Sequence, residues 1–570
     1  MQSILQSISQ GNPAYMGVYL CILRYVAPVL AALLLWRCLK PLVVFRRVPE
    51  IWGWLKGADG SSFALTHWES IIGRSKTCDV VIDFPTISRN HAVLTRYDDG
   101  SWSIKDAGSK SGVLVNGEPI RLHALEAGDV INIGGLDMTL TPVTAKQEQL
   151  QAQLRAPASA VDNVANLLLL TVLQIMVCLA FLLTSQSDYL ESVIWGFGGI
   201  MVTQWILMIF YLCIRRSAFE METVAFFLCT MGMAVVATVI PKDIIKQLAA
   251  LVMGVALYLV VGWSLRDLER AKKCRYAATA LGLGFLIFTL LFGDEQNGAK
   301  AWIQIAGLNL QPSELSKVCF VYAGASTMDR LLDKRNLYLF IGYSVLICAC
   351  LALMNDFGTA LIFFVAFLII AFMRSGSVGT VGLACTALGF AGVIAVKIAP
   401  HALRRFASWR HIWADPMGAG YQQTRALMCM AAGGLFGLGA NQGKLKGYFA
   451  ADSDIVFATI TEEWGLILAV LPVLAVVALA VFAIRAAITG RSSFYTIGSC
   501  TAAAILLTQA ILNALGTLDV LPFTGVTFPF VSNGGSSMLG AWGLLAFLKA
   551  ADTRQNASFA VRRVRKEGSE

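Results

Sequence analysis

Long apolar runs separated by short polar loops recur from about residue 163 to the C-terminal tail, and another covers about residues 15–38. Of the 570 residues, 56% are hydrophobic and only 14% are charged. Soluble domains carry about 25% charged residues, whereas a membrane-spanning helix needs about 20 mostly apolar residues. The pattern therefore predicts a polytopic α-helical membrane protein.

The charge and cysteine patterns exclude several other classes. The net charge of +9 is spread over short loops and the C-terminal tail, where it sets membrane topology, so it does not indicate a nucleic-acid partner. The 13 cysteines mostly stand singly inside apolar runs. They indicate small membrane residues, with neither a disulfide framework nor a metal site.

Basic residues recur after alternate apolar runs and orient the chain. The groups on the predicted cytoplasmic side lie near Arg215, Lys272, Lys334, Arg374 and Arg485. The positive-inside rule then predicts about thirteen spans, with the N-terminus outside and the C-terminus cytoplasmic. The first run has basic residues after it and none before it, which predicts a retained helix and not a cleaved signal peptide.

Residues 51–143 have a different pattern, because apolar and polar residues alternate there. The turn pairs Asp99-Gly100 and Asn116-Gly117 separate the alternating stretches. Alternation with such turns predicts a small β-sandwich. The topology places this module in the cytoplasm.

This module contains GRSKTCDVVID, SRNH, DAGSKSGVLVNG and GDVINIG in order, and it resembles the forkhead-associated (FHA) domain. The resemblance implies that Arg74 and Ser88 bind the phosphate of a phosphothreonine, next to Lys110 and Ser111, while His91 supports the loop from inside. The partner would be a phosphothreonine protein or a Ser/Thr kinase. Because Lys110 and Ser111 stand where the family usually has Thr-Asn, a degenerate module used for plain protein contact stays open.

A basic loop between two apolar runs, residues 404–426, falls on the predicted outer side. Arg404, Arg405 and Arg410 precede a single acid, Asp415. Apolar residues at helical spacing predict an interfacial helix here. They are Leu403, Phe406, Trp409 and Trp413. The helix could simply anchor in lipid, or its arginines could bind phosphate-bearing lipid headgroups, because a guanidinium donates two hydrogen bonds at once.

Five ordered motifs extend this observation: AKAWIQIAGLNLQPSELSK, NDFGTA, ADPMGAGYQQTRA, SDIVFATITEEWG and LPFTGVTFPFVSNGGSS. They resemble the SEDS family (shape, elongation, division and sporulation), which includes RodA, FtsW and SpoVE. The resemblance covers about residues 219–552 and implies a ten-helix core. About three extra N-terminal helices and the inserted FHA domain are additions to it. The additional segments are the N-terminal helix 15–38, the FHA domain 51–143, a linker 144–162, two helices within 163–215, and a basic cytoplasmic tail 553–570.

The resemblance implies a peptidoglycan glycosyltransferase that polymerises lipid II at the outer face of the bacterial cytoplasmic membrane, for elongation, division or sporulation. Asp415 falls at the family's essential aspartate and would act as general base. A divalent cation, Mg²⁺ or Mn²⁺, could assist, with no organic cofactor, and the expected partner is a class B penicillin-binding protein transpeptidase. The candidate substrate-binding residues are Trp302, Glu314, Lys317, Arg404, Arg405, Arg410, Gln422, Asp454, Glu462, Ser532 and Ser536.

Some motif positions depart from the family. Asp452 replaces a histidine, Asn533 replaces a tyrosine, and Asn355 and Phe357 flank Asp356 in place of the usual residues. These changes leave an elongation, division or accessory role open. A lipid II flippase or other transporter, and a non-catalytic FHA scaffold, remain as competing functions. Glu314 and Lys317 lie one helical turn apart and could merely neutralise one another.

Overall fold

The computed structural model contains a β-sandwich and a helical membrane domain, which confirms the predicted fold class. It describes residues 13–43, 50–76, 78–97, 100–144, 146–147, 150–151, 159–185, 187–296, 299–305, 308–326, 334–375, 378–398, 400–490, 492–554 and 557. Most of the basic tail predicted at 553–570 lies outside these residues, as does the Arg404 side chain.

Eleven strands between residues 53 and 142 form the sandwich. The strands are β1 (Gly53–Gly57), β2 (Ser62–Leu65), β3 (Glu69–Gly73), β4 (Val80–Val81), β5 (Ala92–Arg96), β6 (Trp102–Asp106), β7 (Val113–Val115), β8 (Glu118–Ile120), β9 (Leu122–Leu125), β10 (Val130–Ile133) and β11 (Leu136–Pro142). One sheet has the order β2-β1-β11-β10-β7-β8 and the other β4-β3-β5-β6-β9. Asn116 and Gly117, with φ of 52° and 87°, make the tight turn between β7 and β8.

The membrane domain consists of helices with one small sheet. Its helices are α1 (Pro13–Val43), α2 (Ala160–Thr184), α3 (Leu190–Cys213), α4 (Glu220–Val239), α5 (Ile244–Leu265), α6 (Leu268–Phe292), α7 (Pro312–Ser326), α8 (Lys334–Leu353), α9 (Phe357–Ser375), α10 (Val378–Ile398), α11 (Pro400–Ser408), α12 (Tyr421–Gly433), α13 (Val456–Ile488), α14 (Ser493–Thr517) and α15 (Gly535–Ala550). The sheet joins β12 (Asp294–Gln296), β13 (Ala299–Ile305) and β14 (Leu308–Leu310).

The chain is a multi-pass membrane protein. Nine helices in the described ranges are long and apolar enough to cross a membrane, and the shorter helices α7 and α15 are buried among them. Helix α4 lies at the centre of this bundle, because nearly all of its side chains are buried. The surrounding helices expose apolar side chains outward, as expected of surfaces that face lipid.

Polar side chains fasten the additional helices to the core. Gln174 on α2 and Gln204 on α3 form a reciprocal pair, and Gln174 also donates to Thr230 on α4. Tyr211 on α3 donates to the buried carboxylate of Glu222 on α4. Hydrogen bonds between helices satisfy groups that lipid cannot, so these contacts hold α2 and α3 against α4.

Candidate functional site

The predicted interfacial helix is shorter than expected. Helix α11 ends at Ser408, and Arg410 adopts a left-handed conformation with φ 61°. A separate 3₁₀ turn covers Ile412–Ala414. A residue with positive φ cannot continue a right-handed α-helix, so Arg410 separates the two elements. The prediction of one helix that carries both Trp409 and Trp413 is therefore wrong.

The helix ends near Ser408 because the residues around its end are hydrogen-bonded to a loop far along the chain, residues 519–525. Three hydrogen bonds make this connection. They run from Arg405 Nη1 to the Thr524 carbonyl (2.9 Å), from Trp409 Nε1 to the Val520 carbonyl (3.2 Å), and from the Arg410 N–H to Asp519 Oδ1 (3.1 Å). The Arg410 guanidinium lies 5.2 Å from the Trp409 ring centroid, a cation–π contact. The segment from Arg405 to Arg410, which we call the basic rim, is therefore held against the loop before α15.

Asp415 lies in a tight turn just before α12. Its two carboxylate oxygens accept the backbone N–H groups of Gly418 and Ala419, each at 3.0 Å. A Cβ at Gly418 would overlap the carboxylate, so the turn requires glycine there. The side chain is exposed. The turn thus holds an open carboxylate in one orientation.

Arg405 and Arg410 precede Asp415 in the chain, but their described contacts lie elsewhere. Among the residues that the structure describes, no arginine lies within ion-pair distance of its carboxylate. The reason is that Arg405 and Arg410 contact the 519–525 loop and Trp409. Gln422, the second residue of α12, donates to the Phe449 carbonyl at 3.1 Å.

A second acid, Asp454, lies beside Arg405. Both side chains lie against Gly525. A Cβ atom placed on Gly525 would be 3.1 Å from Asp454 Oδ2 and 4.0 Å from Arg405 Nη2. Burial raises the pKa of Asp454 to about 6; the Ser453 hydrogen bond and Arg405 oppose the rise, while Asp452 adds to it. A carboxylate with this pKa exchanges its proton near neutral pH.

We expect the wild-type protein to lose thermal stability between pH 4 and pH 7 in a way that Asp454→Asn does not. Aspartate ionises near pH 3.9 in an unfolded chain, whereas folded Asp454 ionises near pH 6. The stability present at low pH is therefore lost as the pH rises through about 6. Two pKa units correspond to about 3 kcal/mol at most.

Thermal unfolding followed by tryptophan fluorescence at both pH values measures this difference. Asp243→Asn is the matched control, because that carboxylate pairs with Lys246 in a partly exposed position. The same pH dependence in wild type and Asp454→Asn would contradict the assignment.

Two of the departures from the family motifs, Asp452 and Asn533, contact one another. Asn533 donates its side-chain amide to Asp452 Oδ2 and its backbone N–H to the Asp452 carbonyl, both at 2.8 Å. The neighbouring Ser532 hydroxyl donates to the Ser453 carbonyl at 2.7 Å. Two consecutive residues of the loop before α15 are therefore hydrogen-bonded to two consecutive residues of the segment before α13.

Buried Asn513 on α14 holds the same two segments together. Its Nδ2 lies 2.9 Å from the carbonyls of Asp454 and Val526, and 3.3 Å from that of Ser453. The Asn513 side chain is 2% exposed, so losing these partners would leave a buried polar group unpaired.

Other candidates form local contacts within the bundle. Glu314 and Lys317 pair at 2.7 Å and are both buried. The Ser536 hydroxyl accepts the Gln311 N–H at 3.0 Å. Glu462 accepts the N–H groups of Lys444 and Leu445 and so ties down a loop.

Trp302 stands apart from these groups. It lies on β13 and pairs in register with Asp294 on β12. It is therefore part of the small sheet that precedes α7.

Within the described ranges, no group of three His, Cys, Asp or Glu side chains could hold a metal ion. Asp452 and Asp454 lie two residues apart, and Asp452 is already engaged by Asn533. Hard divalent cations need several oxygen ligands. The described residues alone therefore do not fit a protein-built cation cage.

The sandwich brings its four candidate residues to one edge. The Arg74 N–H donates to the Ser88 carbonyl at 3.0 Å, the Ser88 hydroxyl accepts the Lys110 N–H at 3.0 Å, and Ser111 donates to the Thr86 carbonyl at 3.2 Å. The Arg74 and Lys110 side chains are exposed. Two cations and a hydroxyl at one edge suit a phosphate group.

His91 lies beneath this edge and is fully buried. Its Nδ1 accepts the Ser88 N–H at 3.1 Å, so its Nε2 carries the proton and donates to the Gly112 carbonyl at 3.0 Å. The ring thus holds the two loops of the edge at a fixed separation.

Sequence reasoning missed Asp519, Gln423 and Asn513. Gln423 donates to the Gly516 carbonyl at 2.9 Å and lies 3.4 Å from Asp519 Oδ1, which also accepts the Arg410 N–H. For Asn513 the available signal was an amide inside an apolar helix, because a polar group at membrane depth needs a partner.

Comparisons with known proteins cover both parts of the chain. Residues 238–557 match the sequence model of FtsW, RodA and SpoVE, described as a cell cycle protein, and residues 70–134 match the FHA domain. The chain is 29% identical over 322 residues to the peptidoglycan glycosyltransferase RodA of Mycobacterium tuberculosis H37Rv, covering 53% of this chain and 69% of that one. It is 32% identical over 310 residues to the probable peptidoglycan glycosyltransferase FtsW of Tolumonas auensis, covering 52% and 80%.

Solved structures resemble each part. A peptidoglycan synthase complex, studied for its coordination of polymerization and crosslinking, matches with a TM-score of 0.49 and 24% identity, over 58% of this chain and 96% of that one. A structure concerning phosphothreonine-dependent FHA domain interactions matches with a TM-score of 0.16 and 25% identity, over 16% of this chain and 98% of that one.

Proposed function

The chain belongs to the FtsW/RodA/SpoVE family of cell cycle proteins, and from this premise we propose that it is a peptidoglycan glycosyltransferase. It polymerises lipid II into glycan strands at the outer face of the cytoplasmic membrane, for elongation, division or sporulation. The observation that carries the proposal is the open carboxylate of Asp415, oriented by two backbone N–H groups in the family's ADPMGAGY segment.

Asp415 acts as general base. Its carboxylate takes the proton of the 4-hydroxyl of the acceptor GlcNAc while that oxygen attacks the anomeric carbon of the donor MurNAc. A new glycosidic bond forms, the bond to phosphate breaks, and undecaprenyl pyrophosphate leaves with the electron pair. A base must lie within hydrogen-bond reach of the proton it removes, and the turn at Gly418 keeps the lone pairs of Asp415 available for that purpose.

The basic rim binds the lipid pyrophosphate. Arg405 and Arg410 are exposed. The 519–525 loop holds the Arg405 guanidinium and the Arg410 backbone, and the Arg410 guanidinium lies over the Trp409 ring. Arg404 precedes them in the chain. Fixed cations stabilise the charge that develops on a leaving phosphate. In this proposal the bound substrate is bordered by Asp454, Gln422 and Trp302. The surrounding loops are supported by the contacts of Glu314, Lys317, Glu462, Ser532 and Ser536.

In this proposal Mg²⁺ or Mn²⁺ binds to the pyrophosphate of the substrate and not to a site built by the protein. A pyrophosphate supplies oxygen ligands of the kind that these ions prefer. Because the described side chains form no cation cage, no step above depends on a protein-bound ion, and no organic cofactor is needed.

The proposal also includes partners and topology. The FHA edge binds a phosphothreonine protein, or a Ser/Thr kinase that carries one, through Arg74 and Ser88. A class B penicillin-binding protein crosslinks the product. The N-terminus and the loop with Asp415 lie outside, and the FHA module and C-terminus lie in the cytoplasm.

Purified full-length protein with fluorescent lipid II tests the function. We expect a ladder of glycan strands on a gel, because polymerisation adds one disaccharide at a time. Movement of lipid II across vesicles without a ladder would favour a transporter. Neither ladder nor transport, with intact phosphopeptide binding, would favour a scaffold.

A further inference from the structure

A carboxylate of the FHA module, that of Glu69, contacts the membrane domain. Glu69, the first residue of β3, accepts hydrogen bonds from the hydroxyls of Ser492 (2.9 Å) and Ser493 (2.8 Å) and from the Ser493 N–H (3.0 Å). Glu69 and Ser492 are 7% and 0% exposed. This contact, which we call the Glu69 latch, is therefore largely shielded from solvent.

The latch caps the N-terminus of helix α14. Ser492 is the N-cap of this helix, and its hydroxyl accepts the Phe494 N–H while donating its own proton to Glu69. The first turn of a helix has unpaired N–H groups and a partial positive charge. The Glu69 carboxylate accepts an N–H group of this first turn and places a negative charge beside its partial positive charge. The hydrogen bonds that it accepts offset the free-energy cost of burying the carboxylate.

Helix α14 connects the latch to the outer site. Asn513 lies 20 residues after Ser493, which is about 30 Å along a helix. At that end its amide holds the carbonyls of Asp454 and Val526, next to Arg405 and Gly525. The position of α14 therefore sets the spacing of the loops that border the proposed active site.

We propose that Glu69 is a positioning residue for the outer site: its latch fixes α14, and α14 fixes the loops through Asn513. This inference rests on the proposed function. The phosphate-binding edge lies at the other end of β3, because Arg74 directly follows that strand, about 15 Å away. Docking through Glu69 thus leaves the edge at the opposite end of the strand open to a phosphothreonine protein in the cytoplasm.

The test compares full-length wild type with Glu69→Gln in lipid nanodiscs. Glutamine keeps the shape but presents an amide N–H₂ to donors that need an acceptor. We expect hydrogen exchange at residues 492–495 to rise about tenfold. We expect kcat for lipid II polymerisation to fall about threefold or more, with KM within about twofold, and Glu69→Asp to restore part of kcat.

Two controls separate docking from misfolding. Glu118→Gln changes an exposed carboxylate on β8 of the same module and should alter neither exchange nor kcat. Binding of a phosphothreonine peptide to Glu69→Gln should match wild type, which shows that the module remains folded.

Unchanged hydrogen exchange at 492–495 in Glu69→Gln would overturn the latch itself. Raised exchange with unchanged kcat would overturn its link to the outer site. Absence of polymer from wild type would instead reject the proposed function, while the exchange measurement would still test the docking contact.

Discussion

Asp415→Asn is expected to lower the rate of lipid II polymerisation by at least about 100-fold, since a positioned general base contributes about 10²–10⁴-fold. Asparagine keeps the size of the side chain, and its carbonyl oxygen can still accept one of the two turn N–H groups. It cannot take the proton of the acceptor hydroxyl. Quantifying glycan ladders from fluorescent lipid II over time measures the effect.

The matched control for this substitution is Asp243→Asn. Asp243 lies at the end of the α4–α5 connection, directly before α5, and pairs with Lys246 at 2.8 Å, so its loss should change the rate by less than about twofold. Thermal unfolding of both variants checks that the bundle is intact. A polymerisation rate for Asp415→Asn within threefold of wild type would remove Asp415 from the mechanism.

Arg74→Ala is expected to weaken binding of a phosphothreonine peptide by about 10- to 100-fold, because charge-assisted hydrogen bonds contribute about 1.5–3 kcal/mol. The Arg74 backbone already pairs with Ser88, so the substitution removes only the exposed guanidinium. Isothermal titration of the full-length protein with phosphorylated and unphosphorylated forms of one peptide measures the loss.

Lys56→Ala serves as the control, because Lys56 is an exposed cation in the middle of β1. Its substitution should leave the affinity within about twofold. Binding that survives Arg74→Ala, or that does not depend on the phosphate, would show that the edge recognises something other than phosphothreonine.

Local patterns predicted the sandwich and the helical membrane core well. Alternating residues and the Asn116-Gly117 turn are short-range signals, and the hairpin of β7 and β8 follows from them directly. Apolar length indicated the helices in the same manner. The edge with Arg74 and Ser88 came from the resemblance, and the structure places these two residues side by side.

The arginine rim could not be predicted, because its geometry depends on distant residues. The contacts of Arg405, Trp409 and Arg410 reach 119, 111 and 109 residues along the chain. Helical spacing alone therefore extended α11 too far. The Glu69 latch spans 423 residues, and no periodicity in the sequence indicates such a contact.

The central claim is that the loop with Asp415 polymerises lipid II on the outer side of the membrane. Proteoliposomes sorted by capture of a C-terminal tag separate the two orientations, and lipid II is then supplied only to the exposed leaflet. We predict glycan ladders from vesicles that escape capture, whose Asp415 loops face the substrate, and none from captured vesicles. Ladders from captured vesicles alone, with the FHA module facing the substrate, would contradict the account.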